Sequence, residues 1–185
     1  PEFDLEIFRP SEMALSVSSI DFARLASIGL YYPIFDKDGT LTEPDTGIII
    51  PDARDAINQA RKEGYIKDAC VLSNLITGNT QRRHNLEVVA SEIYAHPVGP
   101  HFFRKKPGRS GYDECIVTMR ATLDSAYVVG DQLITDIRGG NRIKLYTIWV
   151  KAYGKDHWVT WFNRCRENRI APQLGLDFNN IPIPN

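Results

Sequence analysis

Leu30-Tyr31-Tyr32-Pro33-Ile34-Phe35-Asp36-Lys37-Asp38-Gly39-Thr40-Leu41-Thr42 is a short apolar run that ends abruptly in two aspartates and a glycine. The aromatic and β-branched stretch Leu30 to Phe35 reads as a strand. Ligands of open parallel sheets sit at the carboxyl ends of the strands, so Asp36 and Asp38 fall where a site belongs. A carboxylate there can attack phosphorus as a covalent nucleophile, and a second one two residues on can serve as general acid and base. Gly39 and Thr40 let the chain turn away from the site. Taken alone, the run could also be an acidic turn, the less favoured of the two readings.

The rest of the chain alternates short β-rich runs with helical patterns, the mark of a parallel α/β sheet. A helix is expected from about Asp52 to Glu63, where Ala53, Ala56, Ile57 and Ala60 recur at helical spacing and Pro51 suits the first turn. A strand from Ala69 to Leu72 follows, running into Ser73-Asn74. Next come a helix over Asn79 to Ser91, a strand over Ile93 to Ala95 and a proline-bearing loop over His96 to Gly108. A helix from Gly111 to Ala121, a strand from Ala126 to Val129, a short helix from Thr135 to Asn141 and a strand from Tyr146 to Val150 complete the pattern. A tail helix is expected near His157 to Glu167, then an irregular stretch through Pro172, Pro182 and Pro184. Residues 4–185 are expected to form one domain, with a C-terminal extension from about residue 151. Pro1-Glu2-Phe3 read as residues left by an expression vector. Nothing reads as a signal peptide, and a preceding native segment such as a targeting peptide stays open.

The 185 residues are 43% hydrophobic, enough for a sizeable core, and Lys plus Arg (22) nearly balances Asp plus Glu (23) for a formal net charge of −1. That balance argues against a bulk nucleic-acid binder. Cys70, Cys115 and Cys165 are scattered and odd in number, which indicates neither a disulfide framework nor a thiolate zinc site. No apolar run reaches the roughly 20 residues needed to span a bilayer.

Further strand ends add chemistry. Ser73 and Asn74 can donate to phosphate oxygens, Lys106-Pro107 supplies a cation, and Gly130-Asp131-Gln132-Leu133-Ile134-Thr135-Asp136 offers two more carboxylates. This ordered set resembles the four motifs of the haloacid dehalogenase superfamily, over about Leu30 to Val150. The resemblance implies a Rossmann-like three-layer α/β/α fold with a mainly parallel central sheet. It also implies a Mg²⁺ cofactor, with Asp36 as nucleophile and metal ligand. Asp38 would be general acid and base and lend its backbone carbonyl to the metal. Ser73 would hold the phosphoryl group, Lys106 would offset its charge, and Asp131 and Asp136 would serve the metal.

From Asp38 to Ser73 is a step of 35 residues and from Ser73 to Lys106 one of 33, both used up by core elements. Neither leaves room for the inserted cap domain that many members carry, so the site is expected to be open. Asp36-Lys37-Asp38, the run Arg104-Lys105-Lys106-Pro107-Gly108, and Gly130 to Ile137 followed by Gly140-Asn141 look like the phosphatidylglycerophosphate phosphatase family, as does the lead-in Val17 to Leu30. One departure is Gly39, where relatives often carry Asn. The resemblance implies hydrolysis of phosphatidylglycerophosphate to phosphatidylglycerol on the route to cardiolipin, with Asn74 and Lys105 among the substrate-binding residues. It further implies a peripheral place on the matrix side of the mitochondrial inner membrane, with the cytoplasm as the alternative.

A lipid substrate calls for a membrane contact. His101-Phe102-Phe103-Arg104-Lys105 pairs aromatics with cations beside Lys106, and the tail stripe Trp158, Trp161, Phe162 and Cys165 is a second candidate, although such stripes usually cover a sheet. Met13 to Ile28 reads as either a docking segment or an interfacial anchor. Arg82, Arg83 and His84 read as a solvated helix face, and His96 and His101 as polar loop residues. The oligomeric state stays open. Two other functions remain: a capless phosphatase acting on a soluble sugar phosphate, nucleotide or nucleic-acid end, and an inactive phosphate-binding scaffold. The scaffold reading is disfavoured because Asp36, Asp38 and Lys106 are all present.

Overall fold

The computed structural model describes residues 4–74, 79–99, 106–154 and 158–181, and no side chain at 158–161. Six strands form one sheet: β1 (Glu12–Ala14), β2 (Tyr32–Phe35), β3 (Cys70–Leu72), β4 (His96–Val98), β5 (Ala126–Gly130) and β6 (Tyr146–Val150). Their order is β1-β6-β5-β2-β3-β4 and every pairing is parallel. The helices are α1 (Phe22–Ser27), α2 (Pro51–Lys62), α3 (Thr80–Glu92), α4 (Arg109–Thr118), α5 (Arg138–Arg142) and α6 (Trp158–Gln173).

Successive side chains of a strand point to opposite faces, and both faces here are buried. Phe35, Val71, Tyr127 and Val129 join Leu25 of α1, Ala53 and Ile57 of α2 and Leu86 and Val89 of α3 in one layer. Ile34, Cys70, Leu72 and Val128 join Tyr112 and Cys115 of α4 in the other. A fully buried Leu, Ile or Phe contributes about 1.5–3 kcal/mol, against about 0.5–1 kcal/mol of lost side-chain freedom for Leu or Ile. Packing therefore decides the helices. Their ends are marked locally: Pro51 opens α2, and the Asn79 side chain caps α3 by accepting the Arg82 N–H at 2.9 Å.

Four sequence expectations are corrected. The stretch Met13 to Ile28 belongs to the fold: β1 pairs with β6, and Val17, Ile20, Phe22 and Leu25 are buried. Ile93 is not in a strand but follows α3 as its cap. It is buried for packing, and the strand begins three residues later, at His96. Pro97 is tolerated in β4 because β4 lies at the sheet edge, where an amide can be spared. The tail helix runs on to Gln173 and takes in Pro172, because Ile170, Ala171 and Leu174 bury against Phe8, Leu133, Ile137 and Trp149. Phe162, expected in a packed stripe, is 64% exposed.

Between the first two motifs lie α2 and β3, and between the second and third α3 and β4, with no further helix or strand among the described residues. The three cysteines are free thiols, two of them buried.

Candidate active site

β2 and β5 are neighbours, yet the chain leaves β2 toward β3 on one side and leaves β5 toward β6 on the other. This is the switch point of the sheet, where a crevice opens beyond the strand ends. Asp36 follows β2 there, its N–H donating to the Val129 carbonyl at 2.8 Å, and Asp131 follows β5. Asp136 is delivered by a π-helical turn, Leu133–Ile137, that runs directly into α5. The short helix expected from Thr135 thus starts two residues earlier, and in a wider form. Asp136 Oδ2 accepts the Gln132 N–H at 3.1 Å, which keeps its carboxylate folded inward. Gly130 makes room for it, since a Cβ at residue 130 would lie 2.4 Å from the Asp136 side chain.

Asp36, Asp131 and Asp136 are all buried, and one carboxylate oxygen of each lies within 4.8 Å of the others. Lys106, also buried, donates from Nζ to Asp136 Oδ1 at 2.6 Å and to Asp36 Oδ1. Burial works against the Lys106 ammonium, but the Asp136 and Asp36 carboxylates outweigh it and hold its pKa well above the usual lysine value. Burial pushes the Asp36 carboxyl well above its usual range, Lys106 pulling the other way. Burial likewise pushes Asp131 to about 6, against the pull of the Arg164 guanidinium. Crowded carboxylates of this kind repel unless a cation sits among them. A set of hard, anionic oxygen donors fits Mg²⁺, which is held through few carboxylates plus phosphate.

The Asp38 side chain stands apart from this cluster. Its Oδ1 accepts from Lys37 Nζ at 2.5 Å and from the Asp45 N–H at 3.0 Å, and the side chain is 32% exposed. Lys37 is itself buried and also donates to the Thr46 carbonyl at 2.8 Å. Ser73 is buried at the end of β3, its N–H bonded to the Val98 carbonyl. Asn74 Oδ1 accepts the Lys106 N–H at 2.8 Å, so this residue holds the lysine's main chain rather than standing free for phosphate. Lys105, and the whole His101–Lys105 segment, lie outside the described residues.

Three residues were not singled out by sequence reasoning: Lys37, Arg164 and Glu167. Arg164 of α6 donates to Asp131 Oδ2, and from Nη1 to the Asp131 carbonyl at 2.6 Å and to Glu167 Oε2 at 3.0 Å. Burial pushes the Glu167 carboxyl up to about 7. The available signal was helical spacing: Glu167, Ile170 and Ala171 fall at i, i+3 and i+4 on the inward face of α6, and buried Leu174 follows one residue past its end.

Comparison with known proteins follows the same lines. The chain is 28% identical over 172 residues to "Probable phosphatase YqeG" of Bacillus subtilis, covering 91% of this chain and 92% of that protein. It is also 28% identical over 107 residues to the glyceraldehyde 3-phosphate phosphatase of Pyrococcus furiosus, covering 57% of this chain but only 43% of that protein. Among solved structures, a Listeria monocytogenes protein aligns with a TM-score of 0.52 at 16% identity, over 70% of this chain and 84% of its own. The "putative had-like phosphatase" of Mesorhizobium loti aligns with a TM-score of 0.50 at 21% identity, over 65% of this chain and 72% of its own. These two support the α/β fold. The model of the family described as mitochondrial PGP phosphatase matches residues 7–153, a span that includes Asp36, Asp38, Ser73, Lys106, Asp131 and Asp136. On that match the chain belongs to the mitochondrial PGP phosphatase family, and it is a phosphatase with a haloacid dehalogenase-like fold.

Proposed function

We propose that the protein hydrolyses the phosphate monoester of phosphatidylglycerophosphate with Mg²⁺, through a phospho-aspartate at Asp36. The observation that carries this reading is the convergence of buried Asp36, Asp131 and Asp136 on Lys106 at the switch point of the sheet. Asp36, Asp131 and Asp136 would hold the metal, with the Asp38 backbone carbonyl. When bound, the cation supplies positive charge for the phosphoryl oxygens. Asp36 attacks phosphorus while the bond to the glycerol oxygen breaks, and the leaving alkoxide takes a proton from the Asp38 carboxyl. Water then attacks the phospho-aspartate, giving its proton to the Asp38 carboxylate, so that phosphate leaves and Asp36 is regenerated. Asp38 suits both steps. Its Oδ1 is pinned by Lys37 and Asp45, which directs proton transfer to Oδ2. Ser73 holds the phosphoryl group, and Lys106 offsets charge on Asp36 and the phosphate.

The lipid assignment draws on the family match and on the rim of the site. Ile48 is 77% exposed and Tyr153 49%, and the Tyr153 N–H donates to the Gly39 carbonyl at 2.8 Å, so apolar surface stands beside the catalytic turn. Rings and aliphatic groups so placed suit an interfacial contact. No helix among the described residues is long and apolar enough to cross a membrane. The family description supports a place in the mitochondrion. A small soluble monoester is the second reading, favoured by the glyceraldehyde 3-phosphate phosphatase relative. Phosphate release from phosphatidylglycerophosphate in mixed micelles, with and without Mg²⁺, beside glyceraldehyde 3-phosphate, separates them. Mg²⁺-dependent preference for the lipid is expected, and preference for the soluble ester discards the lipid substrate.

A further inference from the structure

We infer that Arg164 and Glu167 of α6 are a positioning pair that holds the Asp131 carboxylate for the metal. The helix carrying them lies beyond residues 7–153, the span of the family match. The inference rests on the reading of Asp36, Asp131 and Asp136 as the metal site.

Both oxygens of Asp131 are held. Thr40 Oγ1 donates to Oδ1 at 3.2 Å, and Arg164 Nη2 donates to Oδ2. The Asp131 main chain is fixed as well, its carbonyl accepting from Arg164 Nη1 at 2.6 Å and from Trp149 Nε1 at 2.9 Å. Arg164 is fixed in turn by Glu167 Oε2, while Oε1 accepts the Ile134 N–H at 3.1 Å. One helical face therefore braces both Asp131 and the turn that delivers Asp136.

Docking of α6 does not call for these charges. Ile170, Ala171 and Leu174 already bury against Leu133, Ile134 and Ile137. A buried ion pair adds little net stability compared with apolar packing, so stability alone does not account for an arginine aimed at Asp131. Partners that orient a ligating carboxylate do account for it, and their loss typically costs about 10–100-fold in metal affinity.

The test is calorimetric titration of the full chain with Mg²⁺, for the wild type, Arg164→Ala, Arg164→Lys and Asp131→Asn, with each variant's thermal midpoint measured in EDTA. Weakening of Mg²⁺ binding by about 10–100-fold in Arg164→Ala, partly restored in Arg164→Lys, with a folded protein in EDTA, supports the pair. Unchanged affinity in Arg164→Ala, while Asp131→Asn loses binding, overturns the pair but leaves the metal site standing. Tighter binding in Arg164→Ala overturns it too, because the guanidinium would then compete with the cation. If Arg164→Ala fails to fold, Arg164→Lys decides alone: a clear loss of affinity supports the pair and wild-type affinity overturns it. No Mg²⁺ binding by the wild type overturns the pair and the metal site together.

Discussion

The Asn74 side chain holds the Lys106 main chain from both sides: Oδ1 accepts the Lys106 N–H at 2.8 Å, and Nδ2 donates to the Lys106 carbonyl at 3.4 Å. The end of β3 is thereby tied to the start of the turn that brings the lysine to Asp36 and Asp136. Asn74→Ala frees that turn. A fall in kcat of at least about 10-fold is expected, since small misplacements of a catalytic group are costly. The loss of stability should stay near 1–2 kcal/mol, the scale of the hydrogen bonds removed. Steady-state kinetics beside denaturant unfolding measures both, and an unchanged kcat removes Asn74 from the positioning of Lys106.

Asp38→Asn separates the two proton transfers. Turnover of the lipid should fall by about 10²–10⁴-fold, the usual contribution of a general acid–base residue. An aryl phosphate has a leaving group that needs no proton, so it should still phosphorylate the variant. Hydrolysis then lacks its base, and phospho-enzyme should accumulate in an acid quench. Wild-type turnover of both substrates counts against Asp38 as the acid and base.

Gly39 sits at φ +83°, and a Cβ there would lie 2.5 Å from Asp131 Oδ2. Gly39→Ala combines a left-handed backbone cost of about 1–2 kcal/mol with displacement of the Asp131 carboxylate. Weaker Mg²⁺ binding and a lower melting temperature are both expected. A Mg²⁺ titration with the affinity of the wild type shows that Asp131 can move without harm.

Glu167 makes stability depend on pH. Its folded pKa of about 7 lies above the ordinary glutamate value of 4.5, so the folded chain holds a proton that the unfolded chain gives up. The penalty is absent below about pH 4.5, grows as the pH rises and is complete above about 7. In EDTA, the wild type should therefore lose stability relative to Glu167→Gln across that window. Parallel pH profiles for the two proteins contradict the assigned shift.

Much of this site was legible because its residues follow strands. Asp36, Ser73 and Asp131 each stand one or two positions past an apolar run, and the sheet brings those ends together whatever the loops do. Tyr146–Val150 was read with its observed bounds because its residues are aromatic or β-branched throughout. The strand after α3 was misplaced because Ile93 is apolar and β-branched, yet it serves as a helix cap. The inward face of α6 was missed because it mixes Arg164 and Glu167 with Ile170 and Ala171, and the expected helix stopped near Glu167, short of the apolar pair. Lys37 entered only as part of the run Asp36-Lys37-Asp38, because its own role depends on burial against Asp38 and the Thr46 carbonyl, which no local pattern announces.

In the proposed reaction Asp36 carries the phosphoryl group. Acid quenching of the enzyme during turnover of phosphatidylglycerophosphate with Mg²⁺, followed by peptide mass spectrometry, tests it most directly. One phosphoryl group is expected on the peptide containing Asp36, at Asp36 itself, and none in Asp36→Asn, which should be folded and inactive. A phosphoryl group on another residue, or sustained turnover by Asp36→Asn, would contradict it.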